Sequence, residues 1–354
     1  MREPRSALLV LLCSCGGITS GSGVADGGSH DGAARDATRD GAASRDASSA
    51  DAAHPRVDAE GGCDSGIQAV QCVASGPGYG SAALAVDEQN VYWAVLVQGD
   101  GGAVVSVPRA GGPVVTLATG PAASSMASDR ESLYWVAGVG NQVAVYRVPT
   151  GGGTVTTLVT ATVQPSPFCI AVDAANVYWT AGSSVLQVAK TGGSVHTLAT
   201  SSDGAYAIAV GPTSVYWGAG GIVSSPLDGG TSTTLALPAS GIPGFCDSLS
   251  LANGDLFAAL TPLAHSAVQT IVRVPTSGAT GPSVLISSGG PDRVAADERG
   301  FFWVSDLGLS YATFDGGTTT LVPPPVAYEI RAIALASDGT LYWTTLHQVQ
   351  STKP

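Results

Sequence analysis

Short apolar runs broken by a single acidic residue recur along this chain at a spacing of about forty residues. The clearest copy is Ile170-Ala-Val-Asp-Ala-Ala-Asn-Val-Tyr-Trp179. A large–small–large apolar triplet comes first, then an aspartate and a brief polar stretch, then a β-branched and aromatic triplet. Further copies are Leu84-Ala-Val-Asp87 with Tyr92-Trp93, Met126-Ala-Ser-Asp129 with Tyr134-Trp135, and Ile208-Ala-Val-Gly211 with Tyr216-Trp217. Val294-Ala-Ala-Asp297 with Phe302-Trp303 and Ile333-Ala-Leu-Ala-Ser-Asp338 with Tyr342-Trp343 continue the series. A degenerate copy, Leu249-Ser-Leu-Ala-Asn253 with Leu256-Phe257, fills the gap between Trp217 and Trp303, and Phe257 takes the tryptophan's place in this alignment. The first triplet reads as a strand beside a crowded axis. The aspartate can bond its own backbone two residues on and start a turn. Val-Tyr-Trp reads as a second strand.

Each copy has a second half. Val105-Ser-Val-Pro108, Gly111-Gly112 and Val114-Val-Thr-Leu117 set its pattern, echoed by Tyr146-Arg-Val-Pro149 with Gly151-Gly152 and Val272-Arg-Val-Pro275 with Gly278. The glycines suit tight hairpins, and the prolines, lacking an N–H, belong away from the middle of a sheet. Four strands per unit at this spacing predict an all-β, seven-bladed β-propeller of four-stranded blades. A β-solenoid also repeats, but its coils are shorter and lack two hairpins per unit. The last unit has room for a third strand after Trp343 and none for a fourth. Ala69-Val-Gln-Cys72-Val-Ala-Ser-Gly76 matches the fourth-strand pattern, so this N-terminal strand is expected to complete the last blade and remove two open edges.

The repeat resembles the YWTD-type propeller of the low-density-lipoprotein receptor family. It also resembles related bacterial envelope propellers of unassigned function, with TolB-like and NHL-type rings as more distant company. The resemblance covers about 65–354 and implies the architecture, not the receptor's ligands. The motif's closing Asp, two residues after Trp, is approached only at Trp303-Val-Ser-Asp306, and the receptor family builds six blades where seven copies occur here.

Residues 1–15 read as an export signal. Ala7-Leu-Leu-Val-Leu-Leu12 is an apolar core far shorter than a membrane-spanning helix needs, and Leu12-Cys13-Ser14-Cys15 resembles a lipobox with Cys15 as the acylated residue. An ordinary cleaved secretory signal is the alternative. Acylation would hold the protein on a membrane, and the residue after Cys15, which is not Asp, favours the bacterial outer membrane by resemblance to lipoproteins there. Residues 16–62 are low-complexity Gly, Ala, Ser and Asp without an apolar period, which reads as a disordered tether. The propeller is assigned to 63–354.

Charge narrows the partners. The formal net charge is −12, which argues against nucleic acid, whose binding rests on basic patches. Four cysteines follow the signal: Cys63 and Cys72 are the local disulfide candidates, and Cys169 and Cys246 are either a second pair or two buried thiols. His30, His54, His196, His265 and His347 share no repeat position, so no metal site and no cofactor is expected. No Gly-x-Ser-x-Gly, His-Glu-x-x-His or phosphate-binding Gly-Lys-Ser/Thr motif occurs. The series Asp87, Asp129, Asp173 and Asp297 could form a carboxylate ring, but its place at the turn between first and second strands favours a structural role.

Propellers gather function where inter-blade loops meet the channel. Those loops supply Tyr79, Phe168, Tyr206, Phe245, Asp292, Arg293, Tyr328, Glu329 and Arg331, and the long loop of the fifth unit adds Leu260, Pro262 and His265. Exposed Tyr and Arg are typical of interaction hot spots. The expectation is therefore a lipid-anchored, exported monomer that binds an envelope protein or a glycan. The rivals are a propeller lyase or hydrolase, with Asp292, Arg293, Glu329 and Arg331 as its candidate groups, and a purely structural spacer.

Overall fold

A computed structural model describes residues 13–14, 70–75, 83–96, 101–140, 142–161, 167–236, 244–262, 268–278, 281–323 and 329–354. Cys15, Cys63, Tyr79, His265, Tyr328 and the tether assigned to 16–62 lie outside them. Among the described residues there is no α-helix, and so none long and apolar enough to cross a membrane.

Seven antiparallel sheets form the blades. Blade 1 runs Leu84–Val86, Asn90–Leu96, Gly101–Pro108 and Val115–Pro121, and blade 2 runs Ser125–Ser128, Ser132–Val139, Gln142–Pro149 and Thr156–Ala161. Blade 3 is Pro167–Val172, Asn176–Ala181, Ser184–Ala189 and His196–Thr200. Blade 4 is Ile208–Val210, Ser214–Gly218, Ile222–Pro226 and Thr233–Ala236. Blade 5 is Gly244–Ala252, Asp255–Pro262, Thr270–Pro275 and Ser283–Ile286. Blade 6 is Arg293–Ala296, Gly300–Ser305, Gly308–Thr313 and Thr318–Val322. Blade 7 takes Ala332–Leu335, Leu341–Thr344 and Gln348–Thr352 from the C-terminus and Val70–Ser75 as its outer strand. The expected clasp is present, with Gln71 opposite Ser351 and Ala74 opposite Val349.

The first strands touch one another around a closed ring, from blade 1 to blade 7 and back. They therefore line the axis, which is why their side chains alternate large and small. Blade 5 has the longest of them, and Cys13–Ser14 adds to its inner edge, Cys13 opposite Leu249. Serines suture neighbouring inner strands. Ser248 and Ser250 Oγ accept the amides of Val294 and Ala296 at 3.2 and 3.0 Å. Pro108, Pro149, Pro226 and Pro275 each end a third strand, where a missing N–H costs no ladder bond. The turn after Pro108 closes by a 2.9 Å bond from the Gly111 amide to the Pro108 carbonyl, with Gly111 at φ +87°, a geometry that favours glycine.

The core sits between blades. Trp93, Trp135, Trp179, Trp303 and Trp343 pair in register with the first residue of their triplets, and each packs beside the Tyr or Phe that holds the preceding position in the previous blade. Tyr92 thus shares a cluster with Trp135, Tyr134 with Trp179, Tyr178 with Trp217, Phe257 with Trp303, Phe302 with Trp343 and Tyr342 with Trp93. Here the alignment needs one correction. Phe257 lies opposite Ser250, as Tyr92 lies opposite Ala85, while Ala258 lies opposite Leu249. Phe257 therefore holds the tyrosine position and Ala258 the tryptophan position. The blade 4–5 seam is filled instead by Leu249, Leu251, Leu256, Leu260 and Cys246 around Tyr216. It is also close-set, since a Cβ on Gly218 would come within 2.2 Å of Cys246 Cβ.

Cysteine chemistry follows this packing. Cys72, on the clasp strand, and Cys169 are each disulfide-bonded. Cys246 is free and fully buried, and desolvation pushes its thiol well above its ordinary value. A Cys169–Cys246 bridge is therefore ruled out, and Cys246 serves as a small apolar side chain.

Candidate functional site

Antiparallel order separates the connections into two ends. Turns from first to second strand and from third to fourth lie at one end, here the turn end. Connections from second to third strand and from blade to blade lie at the other, the loop end.

At the turn end the repeated aspartates are consumed by architecture. Asp87 Oδ1 accepts the amides of Gln89 and Asn90, both at 2.7 Å, and Oδ2 accepts the Tyr92 hydroxyl at 2.6 Å. Asp129 and Asp173 repeat this with Tyr134 and Tyr178. Phe302 has no hydroxyl, and Asp297 Oδ2 takes the Arg299 guanidinium instead. At Gly211 the carboxylate is missing and the Tyr216 ring occupies its space, 3.1 Å from where a Cβ would stand. Burial, then the hydrogen bond to aspartate, raises the Tyr92 and Tyr178 hydroxyls well above their ordinary range. Burial and the Asp129 charge push Tyr134 up to about 12.

In blades 1, 3 and 6 the residue after the third strand reaches back to the preceding blade. Lys190 Nζ stands 2.6 Å from Asp129 Oδ2 and 5.3 Å from the centre of the Tyr134 ring. Arg109 crosses the closing seam, its Nε donating to the Tyr342 hydroxyl at 2.9 Å and its Nη2 lying 2.7 Å from Asp338. Phe314 does the same by ring contact, 5.5 Å from Phe257. Burial opposes ionisation of Asp129, but hydrogen bonds from Lys190 and the Glu131 and Ser132 amides bring it below its ordinary value. Asp338 is lowered likewise, against burial, by the Thr340 amide and Arg109.

The loop end is built differently. Tyr206 and Phe245 meet edge to face with centroids 5.0 Å apart, and Phe245 stays exposed. Asp247, two residues on, accepts the Thr261 hydroxyl at 2.5 Å, and Gln269 Nε2 donates to that same Oγ1 at 3.0 Å. Asp292 pairs with Arg293 at 2.5 Å, while Arg293 Nε donates to the Arg331 carbonyl at 3.2 Å. Asp292 Oδ1 is shielded from solvent and has no hydrogen-bond partner. Burial raises Asp247 above the usual carboxylate range; the Thr261 bond opposes this and the Asp292 charge adds to it. Burial raises Asp292 too, opposed by Arg293 and aided by Asp306. Tyr206 is raised by burial and by the charges of Asp247 and Asp203. These couplings place Asp203, Tyr206, Asp247, Asp292 and Asp306 in one neighbourhood across blades 4 to 6.

The sequence-derived residues divide accordingly. Tyr206 and Phe245 come together, as do Asp292 and Arg293, with Arg331 reached through its carbonyl. Glu329 and Arg331 are exposed at the foot of the first strand of blade 7, and Phe168 lies in the first strand of blade 3. Pattern reading passed over Asp203, Asp247, Thr261 and Gln269. Asp247 carried a signal, because it stands two places before Leu249, as the candidates Tyr206, Asp292 and Arg331 stand two places before Ile208, Val294 and Ile333. Among the described residues no group of three His, Cys, Asp or Glu side chains could hold a metal ion. Two open recesses lie elsewhere. One of about 490 Å³ between blades 3 and 4 includes His196 and Asp228, and one of about 670 Å³ at the closing seam includes Arg109 and Asp338.

No family model and no curated protein matches the chain. Solved structures do. A streptogramin B lyase aligns at 12% identity over 80% of this chain and 96% of its own, with a TM-score of 0.62. A chain of the mitotic checkpoint complex aligns at 12% over 83% and 96%, with a TM-score of 0.64. The WD40 propeller domain of Doa1 aligns at 13% over 80% and 96%, with a TM-score of 0.55. At these identities the likeness shows the β-propeller fold alone.

Proposed function

We propose that this chain is a membrane-anchored, extracytoplasmic binding module whose loop end takes an envelope protein or a glycan. One observation carries the reading. Turn-end aspartates are spent on turns, tyrosines and latches, whereas loop-end carboxylates and the Tyr206–Phe245 pair hold no such position. Carboxylates kept half-buried with donors that do not offset that burial fit a surface that a ligand completes. The anchor rests on the Cys15 lipobox, and Cys15→Ala is expected to move the protein from the membrane to the soluble fraction and abolish palmitate labelling.

The binding test uses the immobilised full chain against envelope extract and a glycan panel, beside a Tyr206→Ala/Phe245→Ala variant of unchanged melting temperature. Retention by the parent and loss in the variant support the reading. Equal retention by both overturns it.

A second reading, an enzyme of lyase or hydrolase type, draws on Asp247 and Asp292, two neighbouring carboxylates that burial raises above the ordinary carboxylate value, the direction a general acid needs. One fold neighbour is a lyase. This reading requires a product to appear from a retained ligand and to stop appearing in Asp292→Asn.

A further inference from the structure

We propose that the loop end docks a protein segment that is basic and flanked by apolar side chains. This rests on the binding-module reading and names the chemistry of the partner.

Two independent features converge on this face. The first is apolar. Leu96, Val139, Val268, Leu307 and Leu346 are exposed, Leu96 by 59% and Leu307 by 61%. All five end a second strand or lie in the connection that follows it, so all five belong to the loop end. With Phe245 they are spread over the loop ends of blades 5, 6, 7, 1 and 2. The exposed apolar residues of the turn end are unlike them. Val115, Val155 and Val284 lie within one residue of the start of a fourth strand, and Phe314 is stacked on Phe257. Six of the ten exposed large apolar side chains of the described residues thus lie at the loop end, including Leu96 and Leu307, the two most exposed, and such an excess suits an interaction surface.

The second feature is charge. The loop end carries Asp203, Asp247, Asp292, Asp306 and Glu329 against Arg293 and Arg331. Arg293 is already committed to Asp292 and the Arg331 carbonyl. Both lysines of the chain, Lys190 and Lys353, follow third strands and lie at the turn end.

The two features adjoin. Asp306 and Leu307 share one turn, whose Leu307 side chain closes over Gly289, and Gln269, next to Val268, bonds the Thr261 that holds Asp247. A Lys or Arg head group would meet Asp247 and Asp292 with the Tyr206–Phe245 rings beside it, where a cation gains from the ring faces. Its apolar neighbours would cover Leu307 and Val268. An acidic segment, a nucleic acid or an anionic glycan would be repelled. A neutral glycan could use the rings and carboxylates but would leave the leucines wet.

The test uses purified full-length chain and three labelled peptides of equal length, read by fluorescence anisotropy. One alternates Lys with Leu, one replaces Lys by Glu, and one replaces Leu by Ser. The proposal expects the Lys/Leu peptide to bind, the Glu peptide not to bind, and the Ser peptide to bind more weakly. Affinity should fall severalfold between about 50 and 300 mM salt as the charges are screened. D247N/D292N and V268S/L307S should each weaken binding by roughly tenfold or more without lowering the melting temperature, while E298Q at the turn end changes nothing. Equal binding of the Lys and Glu peptides, or indifference to D247N/D292N, overturns the proposal. If the face retains a neutral glycan in the assay above and no basic peptide, this proposal falls and the binding-module reading stands. If it retains neither, both fall.

Discussion

The two ends of this ring use the same side chains to opposite purposes. At the turn end, Asp129 and Asp338 receive backbone amides and a cation, and both are held below the ordinary carboxylate value. At the loop end, Asp247 and Asp292 are held above it, because the donors they meet do not offset their burial. A carboxylate below its ordinary value stabilises the fold. One above it costs stability while ionised, and persists where something other than folding makes use of it. The difference is what sets the loop end apart as the proposed binding face.

That contrast can be broken at its foundation first. Trp179 is fully buried between blades 2 and 3, so Trp179→Ala should cost about 3–5 kcal/mol in chemical denaturation. A cost below about 1 kcal/mol would mean that the seams are not where stability resides. Ala258→Trp sharpens the register correction. If Phe257 held the tryptophan position, residue 258 would match Ala94 and Val136, and a ring there would enter the seam with blade 6 instead. With Ala258 opposite Leu249, it must enter a seam already filled by leucines, at a cost of about 1–3 kcal/mol.

The turn-end latch comes next. Lys190→Met keeps the stem and removes the charge from Asp129, and should cost about 1–3 kcal/mol. Asp247→Asn at the loop end should be neutral or slightly stabilising at neutral pH, because it deletes a desolvated charge and keeps the Thr261 partner. Measured under one denaturant protocol, the two substitutions give opposite signs if the ends differ as described.

The pH dependence separates them further. For Asp129 and Asp338 the folded values are lowered, so the unfolded chain binds more protons. Their contribution is present above the ordinary carboxylate value and is lost as pH falls through the lowered one. For Asp247 and Asp292 the folded values are raised, so the native state binds more protons between the ordinary and raised values. Stability there falls as pH rises through that window. D247N/D292N should remove that fall and leave the acid limb, set by Asp129 and Asp338, in place.

Much of the architecture was legible because it repeats. Seven copies, four strands each, the closing strand at 70–75 and the turn role of Asp87, Asp129 and Asp173 all follow from periodicity and hydrogen-bonding chemistry. Blade 5 misled because its aromatic stands one place early. Leu-Phe-Ala258 replaces Tyr-Trp at the end of the triplet, and matching aromatic to aromatic outweighed counting from Leu249. The loop end was legible only as a set of candidates, since loops carry no period. Tyr206 and Phe245 are far apart in sequence and meet only because blades 4 and 5 adjoin. Asp247 passed unnoticed for a related reason. Its partner Thr261 lies across a hairpin, and the charges it meets, Asp292 and Arg293, come from the next blade.

The central claim is the division of labour between the ends, and its most direct measurement is a carbon-detected NMR titration of the aspartate carboxylates, assigned through Asp129, Asp338, Asp247 and Asp292. The account predicts two separated groups, Asp129 and Asp338 titrating below the ordinary value and Asp247 and Asp292 above it. Titration of all four together, or the reverse order, would contradict it.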